Sequence, residues 1–540
     1  MSDPSRRPEG RQPEDRATAH PQAGERPWST PLLNLLSAED RRLFQRFGQG
    51  PSWAVPHSHI HHAFERWATA TPHVVAATHL GETITYGELD RQANRLAELL
   101  ARHGVLPGDN VGLFARRGIP MVAGLLAALK AGAAYVPQDV GIAPVAHLRQ
   151  VIATADTRVI LTLSDVAATI PATDGQVCIP VDTVMDQPLG DGHDAFDAEG
   201  IDPDGGCYVL FTSGTTGTPN GVVVTHRNVC NLLLTEPGDL GMRPGLLVGQ
   251  ILNIGFDMAA WEILGALSHG ATLVIRGKDI AETVESVDVV IATPTILASV
   301  DPGRCRRVEV VAVAGEPCPR ALADRWAGVG AFYNACGPTE TTIVNTMQRH
   351  DPAAIRLTIG RPTPNNTVYV LDENRHPCAI GEAGEMWAGG GCVSAGYLRN
   401  PELTRERYAP DPFLGGDRMM FRTRDLGRWT PDGELEHLGR TDDQVKIRGF
   451  RVELDSVSAV LESLPGCSRA ATLKLDDRTL VSFVAPAHLD QAAARKAVAD
   501  ALPYYCVPAA VHPMVALPMT SRGKVDKDAL LRLALAEVAS

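Results

Sequence analysis

The chain has 540 residues, 44% of them hydrophobic, and 63 acidic residues against 50 Lys and Arg give a formal charge of −13. A chain of this length divides into two or more domains with large cores. The acidic balance argues against a broad nucleic-acid or anionic-membrane surface, because either needs a basic footprint. Ten cysteines occur without a CxxC pair or zinc-like spacing. They read as small buried hydrophobes in a reducing compartment, so a cytoplasmic protein is expected. No apolar run reaches membrane-spanning length, and the N-terminus lacks the apolar segment of a signal peptide.

Residues 1–29 are polar and Pro-rich and predict a disordered tail. After Thr30, the run LLNLLSAEDRRLFQRF predicts one short helix whose Leu/Phe stripe packs on the main body or on a preceding domain. From Ile60 to Gly439, Ala/Leu-rich helical runs such as ELDRQANRLAELLARHG alternate with β-branched runs such as RVILTL, ATLVIR, VDVVIA and VEVVAVAG. That alternation predicts an α/β fold of parallel-rich sheets with packed helices, and it directs attention to loops after strands, where such sheets bind ligands. Near GRTDDQVKIRGFRVEL the pattern changes to a final segment of about 100 residues, the size of a small α+β domain. The expected organisation is a tail (1–29), a large core (30–441) and a small mobile C-terminal domain (442–540), with the boundary at Asp442.

Two loops carry chemistry. After the strand-like CYVLF comes TSGTTGTPNG, Thr212 to Gly221. Its backbone N–H groups and hydroxyls can cradle a polyphosphate, although the GK[ST] ending of a Walker loop is absent. The second loop, YNACGPTETT from Tyr333 to Thr342, offers the Thr339 hydroxyl and the Glu340 carboxylate to a magnesium ion, since hard cations take oxygen ligands.

These two motifs, in this order, resemble the adenylate-forming superfamily, and specifically the adenylation domains of nonribosomal peptide synthetases. The resemblance covers nearly the whole chain, through ITYGELDRQANRLA, LKAGAAYVP, FDMAAWE, GEMWAGGGCVSAGYL, FRTRDLGRW, GRTDDQVKIRGFRVEL and PMTSRGKVDKDAL in family order. It implies activation of an amino acid with ATP and Mg2+ to an aminoacyl-adenylate, followed by transfer to the phosphopantetheine thiol of a separate carrier protein in natural-product biosynthesis. A small activating partner protein is also compatible with it.

The resemblance assigns Lys524, Glu340 and Thr339 to catalysis, with Glu340 holding the metal. ATP is expected on Thr212, Ser213, Gly214, Thr215, Thr216, Gly217, Gly315, Glu316, Asn334, Cys336, Asp425 and Arg440, the last two at the ribose. Asp257 is expected to pair with the α-ammonium group and Lys524 to reach the carboxylate. Met258, Trp261, Ala292, Ala312, Ala314, Ala335, Ile343 and Val344 would line a wholly apolar pocket for a bulky hydrophobic or aromatic side chain. Asp442 matches the hinge of the small domain, whose rotation would bring Gly449 and Lys446 to the thiol tunnel.

The sequence departs from the family pattern at four places. Asn220 stands where a lysine is usual, Cys336 where a tyrosine packs on adenine, Arg424 where glycine is usual, and Asp455-Ser456-Val457 in place of a Gly-Glu-Ile-like run. Competing readings are an acyl-CoA ligase, against which Asp257 argues, and a non-catalytic regulatory partner of a synthetase. The segment after Asp526 is too short for a carrier domain, hence the expectation of a separate carrier.

Overall fold

The computed structural model describes residues 28, 30–189, 195–196, 198, 200–212, 219–519 and 525–538. Two large mixed sheets form the core of residues 60–440. The first has nine strands, with a parallel centre running Ala331–Cys336, Val310–Val313, Val289–Ala292, Leu247–Gln250, Thr272–Ile275 and Val75–His79. Antiparallel strands close both edges. The second has seven strands, in which Ala134–Asp139, Asn110–Ala115, Val159–Thr162 and Val177–Pro180 are parallel neighbours and Gly206–Thr212 pairs antiparallel with Asn220–Thr225.

The helices Ile60–Ala70, Tyr86–Arg102, Ile119–Lys130 and Asp257–Ser268 share one continuous apolar cluster with both sheets. The local causes are visible in the helix Tyr86–Arg102. Thr85 and Glu88 form a reciprocal capping box at its start, and Leu89, Ala93, Leu96, Ala97 and Leu100 recur at helical spacing on its buried side. The Tyr86 hydroxyl donates to Ala271 O at 2.7 Å and ties that helix to the nine-stranded sheet. The buried Lys130 is neutralised by Glu65 and, at 2.9 Å, by Asp90.

A five-stranded antiparallel sheet follows, with Met419–Trp429 between Gly384–Gly390 and Leu435–Arg440. The N-terminal segment packs against it. Trp28 and Phe44 meet Tyr369 and Phe413 in an aromatic cluster. The single helix expected after Thr30 is instead two pieces, a 3₁₀ turn Pro31–Leu35 and a helix Ala38–Phe47. Ser37 causes the break, because its hydroxyl accepts the Asp40 N–H at 3.1 Å and so caps a new helix.

Beyond Asp442 the described strands pair only among themselves. A hairpin, Gln444–Ile447 with Phe450–Glu453, precedes a three-stranded sheet and the helices Leu454–Glu462, Gln491–Ala501 and Lys527–Val538, with apolar clusters of their own. The molecule is thus α/β, with a large N-terminal and a small C-terminal part. No helix among the described residues is long and apolar enough to cross a membrane.

Candidate functional site

The residues expected to line the acid pocket come from strand ends and one helix. Ala292 closes the strand Val289–Ala292, Ala312 lies in its parallel neighbour Val310–Val313, Ala314 follows that strand, and Ala335 is in Ala331–Cys336. Met258 and Trp261 lie one turn apart on the helix Asp257–Ser268, and the Trp261 indole N–H donates to Gly238 O at 2.6 Å, which fixes its ring. These six residues, with Ile343 and Val344, are buried in the same cluster. Thr342 and Ile343 both have left-handed backbone, φ 57° and 68°. Two successive β-branched residues there cost about 1–3 kcal/mol each. The Thr342 hydroxyl, which donates to Cys392 O at 2.8 Å, helps hold this strained wall.

Asp257, the first residue of that helix, is the charge in this apolar setting. It is 9% exposed. Burial pushes its carboxyl above the usual carboxylate range, opposed by a hydrogen bond from the Thr339 hydroxyl and by the charge of Lys446. Thr339 thus bonds Asp257, and Lys446, 189 residues further along the chain than Asp257, lies close enough for its charge to act on it.

On the nucleotide side, Thr212 ends the strand Gly206–Thr212 and faces Asn220 in register across an antiparallel hairpin. Ser213, Gly214, Thr215, Thr216 and Gly217 lie outside the described residues, as does Lys524. Asn220, where a lysine is usual, accepts from the Asn400 amide at 3.4 Å. Glu316 accepts the Thr295 N–H at 2.8 Å through one oxygen, while its other oxygen is buried without a hydrogen-bond partner among the described residues. An orphaned acceptor of this kind suits a donor on a bound ligand. Asn334 donates to Thr358 O at 2.7 Å. Burial, aided by the charge of Asp425, pushes the Cys336 thiol up to about 12, so it is a neutral thiol and not a nucleophile at neutral pH.

Asp425 and Arg440 are register neighbours and form an ion pair at 2.5 Å. The same guanidinium grips Asp442 at 2.7 and 3.0 Å and donates to Gln444 Oε1 at 2.8 Å. The ribose-side pair is thus continuous with the expected hinge. Arg424 has φ 62°, a conformation that favours glycine. Its side chain reaches Glu406 at 2.5 Å and Asp442 at 3.6 Å.

The hairpin 444–453 packs onto the core at this point. The Phe450 ring meets Phe256 edge-on at 4.6 Å and stacks on Tyr505 at 3.8 Å. Gly449, at φ 83°, lies so close to Thr293 that an added Cβ would come within 2.7 Å of its methyl carbon. Lys446 is held below its usual pKa by burial and by Arg451, against the pull of Asp257 and Asp425.

Glu340 is fully buried. Arg451 donates to both its oxygens, at 3.0 and 2.9 Å, and the Tyr397 hydroxyl donates to Oε1 at 2.6 Å. Burial works against its charge, but Arg451, Arg407 and Tyr397 outweigh it and take the carboxyl down to about 2. The carboxylate is therefore satisfied by the chain itself, and in this arrangement it does not fit a divalent metal. Sequence reasoning missed Arg451, Phe450 and Tyr397 as partners. Arg451 and Phe450 stood inside a quoted motif, but no local spacing links Arg451 to a glutamate 111 residues away.

The structure thus brings strand ends of the parallel sheet, the buried Asp257 and the Asp425–Arg440 pair into the part of the molecule where the sequence places the site. Residues 64–398 match the AMP-binding enzyme family, to which the chain belongs. An adenylate-forming reductase of Coprinopsis cinerea is 47% identical over 507 residues, 93% of this chain and 49% of that protein. A linear gramicidin synthase polypeptide of Brevibacillus parabrevis is 35% identical over 491 residues, 87% of this chain and 10% of that protein. The structure of holo-PA1221, a nonribosomal peptide synthetase protein containing adenylation and carrier domains, superposes with a TM-score of 0.78 at 26% identity, covering 89% of this chain and 85% of that one. The chain spans about half the length of the first of these relatives and a tenth of the second. It is an adenylate-forming enzyme of the nonribosomal-peptide-synthetase adenylation type.

Proposed function

We propose that the protein activates an amino acid with a bulky hydrophobic or aromatic side chain, using ATP and Mg2+, and passes the aminoacyl group to the phosphopantetheine thiol of a carrier. The observation that supports this reading is Asp257, a buried carboxylate that heads the helix carrying the buried Met258 and Trp261. An ammonium group bound there replaces lost solvation, whereas an acid without an amine leaves the carboxylate short of a partner at a cost of about 1–3 kcal/mol.

In the first step a carboxylate oxygen of the acid bonds to the α-phosphorus of ATP, the bond from that phosphorus to the bridging oxygen breaks, and pyrophosphate leaves. Asp257 orients the acid through its amine, and the alanines leave room for its side chain. Asp425 and Arg440 are assigned to the ribose, and Lys524 to the carboxylate and the α-phosphate charge, the last from sequence alone. In the second step the carrier sulfur bonds to the acyl carbon and AMP leaves. The separate-carrier expectation rests on the same resemblance. Amino-acid-dependent ATP–pyrophosphate exchange over a panel of acids tests the reading, with a bulky apolar acid as the best substrate expected. Lys524→Ala should lower exchange at least about 100-fold in folded protein. Exchange with no amino acid, or only with amine-free acids in the presence of coenzyme A, overturns it.

A further inference from the structure

Glu262 closes the run FDMAAWE on the same helix as Asp257, and it is fully buried. Its oxygens reach back to the chain that leads into that helix. Oε1 accepts the Ile251 N–H at 2.9 Å and the Leu252 N–H at 3.2 Å, and Oε2 accepts the Leu252 N–H and the Gln250 side-chain amide, both at 3.2 Å. The carbonyls of the same two residues are held as well. Arg276 Nε donates to Ile251 O at 2.9 Å, and a terminal nitrogen of Arg117 donates to Leu252 O at 3.1 Å. The strand Leu247–Gln250 pairs with Thr272–Ile275 as far as Gln250, and beyond it these side chains take the place of a ladder. Asn253 then shapes the rest of the turn, accepting the Gly255 N–H at 2.8 Å on its side chain and the Phe256 N–H at 2.9 Å on its carbonyl, and donating to Asp139 at 2.9 Å. The next residue after Phe256 is Asp257.

A buried carboxyl is a costly filler, since an apolar side chain of similar volume packs without the loss of solvation. Its use here follows from the partners. Every partner of Glu262 named above is a donor, and only an ionised carboxyl accepts at both oxygens; a glutamine would set an N–H against the Leu252 N–H or the Gln250 amide. Arg117 and Arg276 lie close enough for their charges to act on it. Burial nevertheless pushes the carboxyl up to about 8. Resting on the amino-acid reading above, we propose that Glu262 is a positioning residue for recognition of the ammonium group, which holds the backbone of residues 251 and 252 against the helix, fixes the place of Asp257 and sets amino-acid affinity through Asp257 alone. A misplacement of about 1 Å costs up to about 100-fold in a contact of this kind.

ATP–pyrophosphate exchange at about pH 8.5, where the ionised form of Glu262 predominates, tests this. Glu262→Gln should raise the KM of the amino acid about 10-fold and leave kcat and the KM of ATP within about 3-fold. Glu262→Leu, which keeps the volume and no acceptor, should raise it further. A residue that only stabilised the fold would lower the active fraction, and with it kcat, and leave both KM values unchanged. In an Asp257→Ala background, Glu262→Gln should add less than about 2-fold, because the group it positions is gone. Arg276→Ala, which frees Ile251 O, serves as the test variant should Glu262→Gln not fold by circular dichroism, with a rise of about 3-fold expected. Wild-type amino-acid KM in folded Glu262→Gln or, failing that, in Arg276→Ala overturns the proposal, as does an equal rise for ATP or a further full 10-fold rise on Asp257→Ala. Failure of the adenylation reading shows separately, as absent amino-acid-dependent exchange in the wild type, and takes the proposal with it.

Discussion

Met258, among the apolar residues expected around the acid, adjoins Asp257, and Lys446 of the seam between core and hairpin acts on the same carboxylate, yet the two regions are built on contrary principles. The first is a tightly packed apolar group, with alanines on parallel strands, a tryptophan bonded to Gly238 O and a left-handed stretch at Thr342 and Ile343. The seam is charged, with the ion pairs Glu340–Arg451 and Asp425–Arg440–Asp442, and with Lys446 close enough for its charge to act on Asp257. Packing gives the pocket one shape, which suits selection of a side chain. Ion pairs hold the seam, so its stability depends on charge neutralisation more than on the fit of apolar surfaces.

The contrast breaks hardest at Asp257, which belongs to both regions. Asp257→Ala should raise the KM of the amino acid about 100-fold and that of ATP less than about 3-fold, since only the ammonium loses its partner. Steady-state exchange kinetics with each substrate varied in turn check this, and equal effects on both would remove Asp257 from the pocket. Ala335→Leu tests the pocket alone. The added volume should cut kcat/KM for bulky acids about 10- to 100-fold while sparing small ones, a change of selectivity and not of chemistry. A uniform loss over the acid panel would mean that Ala335 does not line the acid site.

Acid separates the seam from the core behind it. His59, His61, His62 and His226 cluster with ring centroids 4.4–5.7 Å apart. Burial lowers His226 to about 3 and His61 well below its usual value. For such bases the unfolded chain takes up protons first, so their contribution is complete above pH 6.5 and is lost as the pH falls towards 3. Glu340, lowered to about 2, begins to lose its contribution only below its unfolded value of 4.5. Between about pH 6.5 and 5, stability should therefore fall by up to about 1.4 kcal/mol per pH unit for each such histidine, with the seam intact. Denaturant melts across this range should show a shallower slope in His226→Leu, and an unchanged slope would locate the acid sensitivity elsewhere.

The smallest effect is expected at Arg424. Arg424→Gly removes a left-handed arginine but also its contacts with Glu406 and Asp442, so the net change in stability should stay within about 1 kcal/mol. What should change is the hold on the segment around Asp442, seen as faster exchange of its amides. A loss of several kcal/mol would show that the Arg424 pairs are structural supports of the core.

Much of this site was legible in the sequence because its parts are local. Alternating helical and β-branched runs mark the α/β order, Gly and Thr after a strand mark the hairpin loop, and FDMAAWE carries Asp257, Met258 and Trp261 on one short stretch. The break at Ser37 was also written locally, as a serine three residues before an aspartate, but the Leu/Phe stripe running through it suggested continuity. The apolar wall was named position by position from the family resemblance, and the structure puts its four alanines in or just after parallel strands of one sheet. The partner of a buried charge obeys no such spacing. Glu340 was read from YNACGPTETT as a metal ligand, and it took the packing of a hairpin more than 100 residues later to set Arg451 upon it, because neutralising a desolvated charge depends on which cation the folded chain brings within 3 Å and not on sequence distance.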